Sequence, residues 1–89
     1  MRFAYVYEMR DDPRVEEVAP PHAAYWNRLS LKRYEGGPFE DRSGGLIVFE
    51  CASLTEARSF VANDPFVVHD LLIRSLLKQW AVLAEPVPH

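Results

Sequence analysis

The sequence predicts a two-layer α+β fold with the element order βαββαβ. Two segments alternate between side chains of opposite faces, Arg2 to Glu8 and Leu46 to Cys51. Two others carry apolar residues at helical spacing, and glycine and proline clusters punctuate the chain between them. Period-two alternation marks strands, and a 3.6-residue stripe marks the helices that pack on them.

The first strand, Arg2 to Glu8, puts Phe3, Tyr5 and Tyr7 on one face and Ala4 and Val6 on the other. Arg14 to Val18 reads as a short helical turn. Pro20 and Pro21 then read as the start of a helix from about His22 to Leu31, because proline suits a first turn. Tyr25, Trp26 and Leu29 form its apolar stripe. Lys32 to Gly36 is a short edge strand, broken by Gly36-Gly37-Pro38, and Phe39 to Gly45 is a loop. The strand from Leu46 sets Leu46, Val48 and Glu50 against Ile47 and Phe49.

Ser53 and Glu56 form a capping box that opens a helix to about Ala62, with Leu54, Ala57, Phe60 and Val61 inward. Asn63-Asp64-Pro65-Phe66 ends it, a short helix over Phe66 to Leu72 follows, and Ser75 to Leu83 is the last strand. This is the ferredoxin-like order, with both helices on one face of an antiparallel sheet. The other face also carries apolar residues. A monomer would expose them, so the expectation is a homodimer with two sheets packed face to face.

Residues 1–89 are expected to form one domain, with 83–89 as a flexible tail. The net charge of −3 and the scattered basic residues argue against nucleic-acid or membrane-surface binding. No apolar run approaches membrane-spanning length. The single cysteine, Cys51, excludes an internal disulfide, so a cytoplasmic location is expected.

Metal and cofactor sites are not expected. His22, His69 and His89 lack ligand spacing, and the glycine pairs match no phosphate loop. Those pairs are expected to serve turns that need positive φ, although glycine also lets a backbone approach a ligand. Cys51 is expected to be buried and inert.

His22 is the leading chemical candidate. A first-turn position, near the positive end of the helix dipole, favours neutral imidazole, the form a general base needs. Its partner would be a loop aspartate: Asp11, Asp41 or Asp64. A carboxylate on one ring nitrogen fixes the tautomer and raises basicity at the other. Asp64 also reads simply as a turn-forming Asx stop before Pro65. Ser43, Arg42 and Gly37 are candidate ligand contacts, and Tyr5, Tyr7 and Trp26 are candidates for pocket walls or core.

Nearly the whole chain resembles the YCII-related (YciI-like) family. The resemblance rests on Phe3-Ala4-Tyr5-Val6-Tyr7, on Pro20-Pro21-His22, on Gly36-Gly37-Pro38, on Gly44 to Glu50, and on Asn63-Asp64-Pro65-Phe66. It implies a ferredoxin-like domain that dimerises as a dimeric α/β barrel, with a His–Asp pair in a pocket. His22 matches the family histidine; Asp41 and Asp64 both lie in matching segments, and Asp41 is taken as the partner. The resemblance also includes a dehydrochlorinase of a chlorinated aromatic compound.

The expected function is a cofactor-free enzyme. His22 and Asp41 would do acid–base chemistry on a small acid, aromatic ones included, by elimination, isomerisation or hydrolysis. Asp64, Ser43, Arg42 and Gly37 would bind the substrate. The alternatives are a non-catalytic small-ligand binding or regulatory module and, by fold analogy, a cofactor-free oxygenase.

Overall fold

The structure, a computed structural model, describes residues 1–84. Expectations for His89 and for most of the tail fall outside the described residues.

Four strands form one antiparallel sheet in the order β2-β3-β1-β4. They are β1 (Arg2–Met9), β2 (Lys32–Pro38), β3 (Gly44–Glu50) and β4 (Leu72–Gln79). The helices are α1 (Val15–Arg28), α2 (Leu54–Ala62) and the single-turn α3 (Pro65–Val68). The ferredoxin-like α+β arrangement is therefore present.

The core lies on one face of the sheet. Register pairs Phe3 with Phe49, Tyr5 with Ile47 and Tyr7 with Gly45. Trp26 of α1, Ala57 of α2, Phe66 of α3 and Leu71 close over them, all buried. Burial of such large rings is the main stabilising term of a small domain. On the other face, Leu46, Val6 and Leu76 line up across β3, β1 and β4, each more than a third exposed.

Helix α1 departs most from the sequence reading. It begins at Val15, not at His22, and ends at Arg28. Pro20 and Pro21 lie inside it, and the expected turn at Arg14 to Val18 is its first turn. Val15, Val18, Ala19, His22, Trp26 and Leu29 make one stripe against the core, spaced three and four apart, that runs straight through the prolines. Both prolines are exposed, and so are Glu16 and Glu17, whose carbonyls lose an amide partner four residues on. His22 is thus in mid-helix, away from the positive end of the helix dipole.

Smaller corrections follow the same logic. Strand β2 continues through Gly36-Gly37-Pro38, because an edge strand tolerates a proline whose missing N–H faces no neighbour. Strand β4 starts at Leu72 and ends at Gln79, three residues earlier at its start and four at its end than expected. The short helix is Pro65–Val68, which leaves Leu71 free to enter the core. No described glycine has positive φ; Gly44 and Gly45 serve close approach instead. The Ser53 half of the capping box forms, its Oγ accepting from the Glu56 amide at 3.1 Å, while Glu56 accepts from the Ala52 amide at 3.2 Å rather than from that of Ser53. Cys51 lies just past β3 and is half-buried rather than buried, and burial pushes its thiol up.

Candidate functional site

The site begins with a helix start. Asp64 is the N-cap of α3 and Pro65 its first residue, a pairing both residue types favour. Asp64 Oδ1 accepts from the Phe66 amide at 2.8 Å. The Asx stop read from sequence is therefore real, but it is half of what Asp64 does.

The carboxylate is fully buried and faces α1. Its Oδ1 also meets His22 Nδ1 at 2.7 Å, and its Oδ2 accepts from Trp26 Nε1–H at 3.0 Å. His22 and Trp26 are four residues apart, so they project from the same face of α1. Three donors compensate a carboxylate taken out of water. The ring of Phe66 stacks on the imidazole, with centroids 4.1 Å apart and planes 19° apart. One short segment, Asp64-Pro65-Phe66, thus supplies both the carboxylate and the plate that orient His22.

Nδ1 faces the carboxylate, which leaves Nε2 as the ring nitrogen turned away from Asp64. Nε2 lies 3.4 Å from the Tyr7 hydroxyl. His22 lines a cavity of about 400 Å³ between α1 and the sheet. Met9, Val15, Ile47 and Phe66 give it apolar walls; Tyr7, Tyr34, Asn27 and Arg42 add polar groups. That volume and mixture suit a small organic molecule. Arg42 reaches the cavity from the β2–β3 loop with a backbone φ of 65°, a conformation that disfavours a side chain.

The other expected residues fall elsewhere. Asp41 does not meet His22. It is exposed, and accepts from the Ser43 amide at 3.0 Å and the Ser43 hydroxyl at 2.7 Å. Those bonds hold its carboxyl below the usual range and close an Asx turn. The expected His22–Asp41 pair is thus replaced by His22–Asp64, and Asp64 is too buried to contact a ligand as a binding residue. Ser43 lies outside the cavity wall, whereas Gly37 and Arg42 are part of it. Asp11 is exposed and does not line the cavity.

Tyr5 and Trp26 are core, and Tyr7 is both core and wall. Sequence reasoning missed the roles of Phe66, Tyr34 and Asn27. Phe66 had one usable signal, its place two residues after the Asp64 cap. Among the described residues no group of three or more His, Cys, Asp or Glu could hold a metal, and no helix is long and apolar enough to cross a membrane.

The fold is a ferredoxin-like α+β sheet, and the contact between His22 and the buried Asp64 lies at the wall of a small cavity. The model of the YCII-related domain matches residues 1–81, so the chain belongs to the YCII-related family. Among solved structures it is similar to the 5-chloro-2-hydroxyhydroquinone dehydrochlorinase (TftG) from Burkholderia phenoliruptrix AC1100 in complex with 2,5-dihydroxybenzoquinone. The identity is 26%, the TM-score is 0.76, and the match covers 91% of this chain and 94% of that one. No curated protein matches the chain.

Proposed function

We propose that this protein is a small enzyme in which His22, oriented by Asp64, moves a proton on a small organic ligand held in the cavity. The observation that carries the reading is the short Asp64–Nδ1 contact, 2.7 Å, on a histidine whose ring lines the cavity. Asp64 holds one tautomer, so Nε2 is the acceptor on the ligand side. Trp26 and Phe66 keep the pair in place. General base assistance of this kind contributes about 10²–10⁴-fold in rate.

Elimination suits the arrangement best. His22 would take a proton from the ligand, the freed electron pair would expel a leaving group, and no external oxidant or reductant would be consumed. The similarity to a dehydrochlorinase supports this class over isomerisation or hydrolysis. Arg42 at the cavity wall favours a ligand with negative charge, and the aromatic and apolar walls favour a ring.

The protein is also proposed to be a homodimer, two sheets packed through the row Leu46, Val6 and Leu76. The lone cysteine supports a cytoplasmic location.

The test is chloride release from 5-chloro-2-hydroxyhydroquinone by wild type, His22→Ala and Asp64→Asn, with circular dichroism to confirm folding. Turnover by wild type is expected, with loss in His22→Ala and a drop of about 10²-fold or more in Asp64→Asn. Unchanged turnover in folded His22→Ala would overturn the assignment. Binding of 2,5-dihydroxybenzoquinone by wild type, without turnover of any chlorinated or unchlorinated hydroquinone, would make this a binding module instead.

A further inference from the structure

Tyr7 stands in the middle of β1 with its phenol buried and its hydroxyl 3.4 Å from His22 Nε2. Two glycines make that placement possible. Gly45 is the cross-strand partner of Tyr7, and a Cβ there would collide with the phenol hydroxyl. A Cβ on Gly44 would collide with the Tyr7 carbonyl oxygen. The sheet surface is bare where the phenol crosses it on its way to the histidine.

The direction of the contact follows from Asp64. In the neutral form that a general base needs, with Nδ1–H on Asp64, Nε2 offers a lone pair and the phenol is the donor. Burial first, then the charges of Asp64 and Tyr34, push the Tyr7 phenol up to about 12. Near neutral pH it therefore stays protonated and acts as a donor, not a base. The separation of 3.4 Å is long for a strong bond between these two groups. It fits better with two groups that share a third atom: one oxygen can lie about 2.8 Å from both.

The geometry points to Tyr7 as a further catalytic residue, the donor to the ligand oxygen whose proton His22 removes. This rests on the reading of His22 and Asp64 as the acid–base pair. The ligand class is then narrower than a small organic acid: it carries an ionisable hydroxyl, a phenol or an enol. In the step, the ligand O–H bond breaks and the proton passes to Nε2. The electron pair is first held on oxygen, where the Tyr7 O–H donates to the oxyanion while keeping its own proton, and then moves into the carbon framework as the leaving group departs with its bonding pair. A fixed donor aimed at a developing oxyanion stabilises the charge without reorganisation.

Nitrophenol tests this without the natural substrate, because its colour reports its own ionisation. Tyr7→Phe keeps the ring over Gly45 and removes only the hydroxyl. The ratio of ionised to neutral bound nitrophenol is expected to fall about tenfold from wild type to Tyr7→Phe, the size of a hydrogen bond to a charged acceptor. Nitrobenzene, which has no oxyanion, should bind both proteins equally.

Nitrogen NMR supplies a readout that packing alone would not move. In Tyr7→Phe the His22 Nε2 resonance should shift, while Nδ1–H stays on Asp64. An equal ionisation ratio in the two proteins, or no nitrophenol binding by wild type, would overturn the role of Tyr7 and leave the His22–Asp64 pair standing. An Asp64→Asn variant with an unaltered His22 nitrogen spectrum would instead overturn the pair itself.

Discussion

The indole N–H of Trp26 gives its hydrogen bond to Asp64 Oδ2 at 3.0 Å, and so a core tryptophan becomes part of the site. Its ring is fully buried between Tyr5 and Phe49. Trp26→Phe should keep most of that packing and remove the donor. The expected cost is about 1–3 kcal/mol in urea unfolding, the penalty for a buried acceptor left short of a partner, with lower turnover from a looser Asp64.

The buried phenols set a second expectation. Burial pushes Tyr7 up to about 12 and Tyr5 still further. The unfolded chain releases these protons near 10.0, while the folded chain still holds them. Their contribution to stability is therefore complete below pH 10.0; that of Tyr7 is lost as pH rises through about 12, and that of Tyr5 at still higher pH. Thermal melts across that window should fall more steeply for wild type than for Tyr7→Phe.

At this scale the sequence displayed the right residue types. His22 and Asp64 were both visible, Asp64 as an Asx stop before Pro65. Their pairing was not, because 42 residues separate them and only packing brings them together. Asp41 was preferred as the partner from sequence, yet its bonds to Ser43 are local and keep it on the surface.

Among the elements, α1 carries the clearest lesson. Two consecutive prolines read as a boundary, since each removes an amide and crowds the preceding turn. The apolar stripe through Val15, Val18, Ala19, His22 and Trp26 outweighs them, because burying that face against the sheet stabilises more than two solvent-facing carbonyls lose. Pro20→Ala should then stabilise the protein by about 2 kcal/mol, the interior-helix penalty less some loss of unfolded-state restriction, in equilibrium urea unfolding. A value near zero would mean that the helix bends to accommodate the ring.

Strands β1 and β3 were legible because each shows alternation over a full strand length. The end of β2 was not: Gly36-Gly37-Pro38 has turn composition, and only its place at the sheet edge lets it remain a strand.

For the whole molecule, the open sheet face matters most. The row Leu46, Val6 and Leu76 is apolar and runs unbroken across three strands. A Glu8–Arg74 ion pair at 2.8 Å borders it on one side, and Arg2 stacked over Trp80 at 5.2 Å on the other. An apolar centre with a charged rim is the usual anatomy of an interface. Sedimentation should find a wild-type dimer and a Leu76→Lys monomer that keeps its circular dichroism spectrum. A wild-type monomer at high concentration would remove the dimer proposal.

By itself the sequence determined the element order, the division of β1 and β3 into two faces and the Ser53 cap, and it singled out His22. Each is written in local signals: periodicity, caps and turn residues within a few positions of one another. Tertiary structure alone decided the full length of α1, the choice of Asp64 over Asp41, and the use of Gly44 and Gly45 to pass Tyr7 across the sheet. Those outcomes depend on contacts between residues far apart in the chain, where burial and hydrogen-bond satisfaction override local preference.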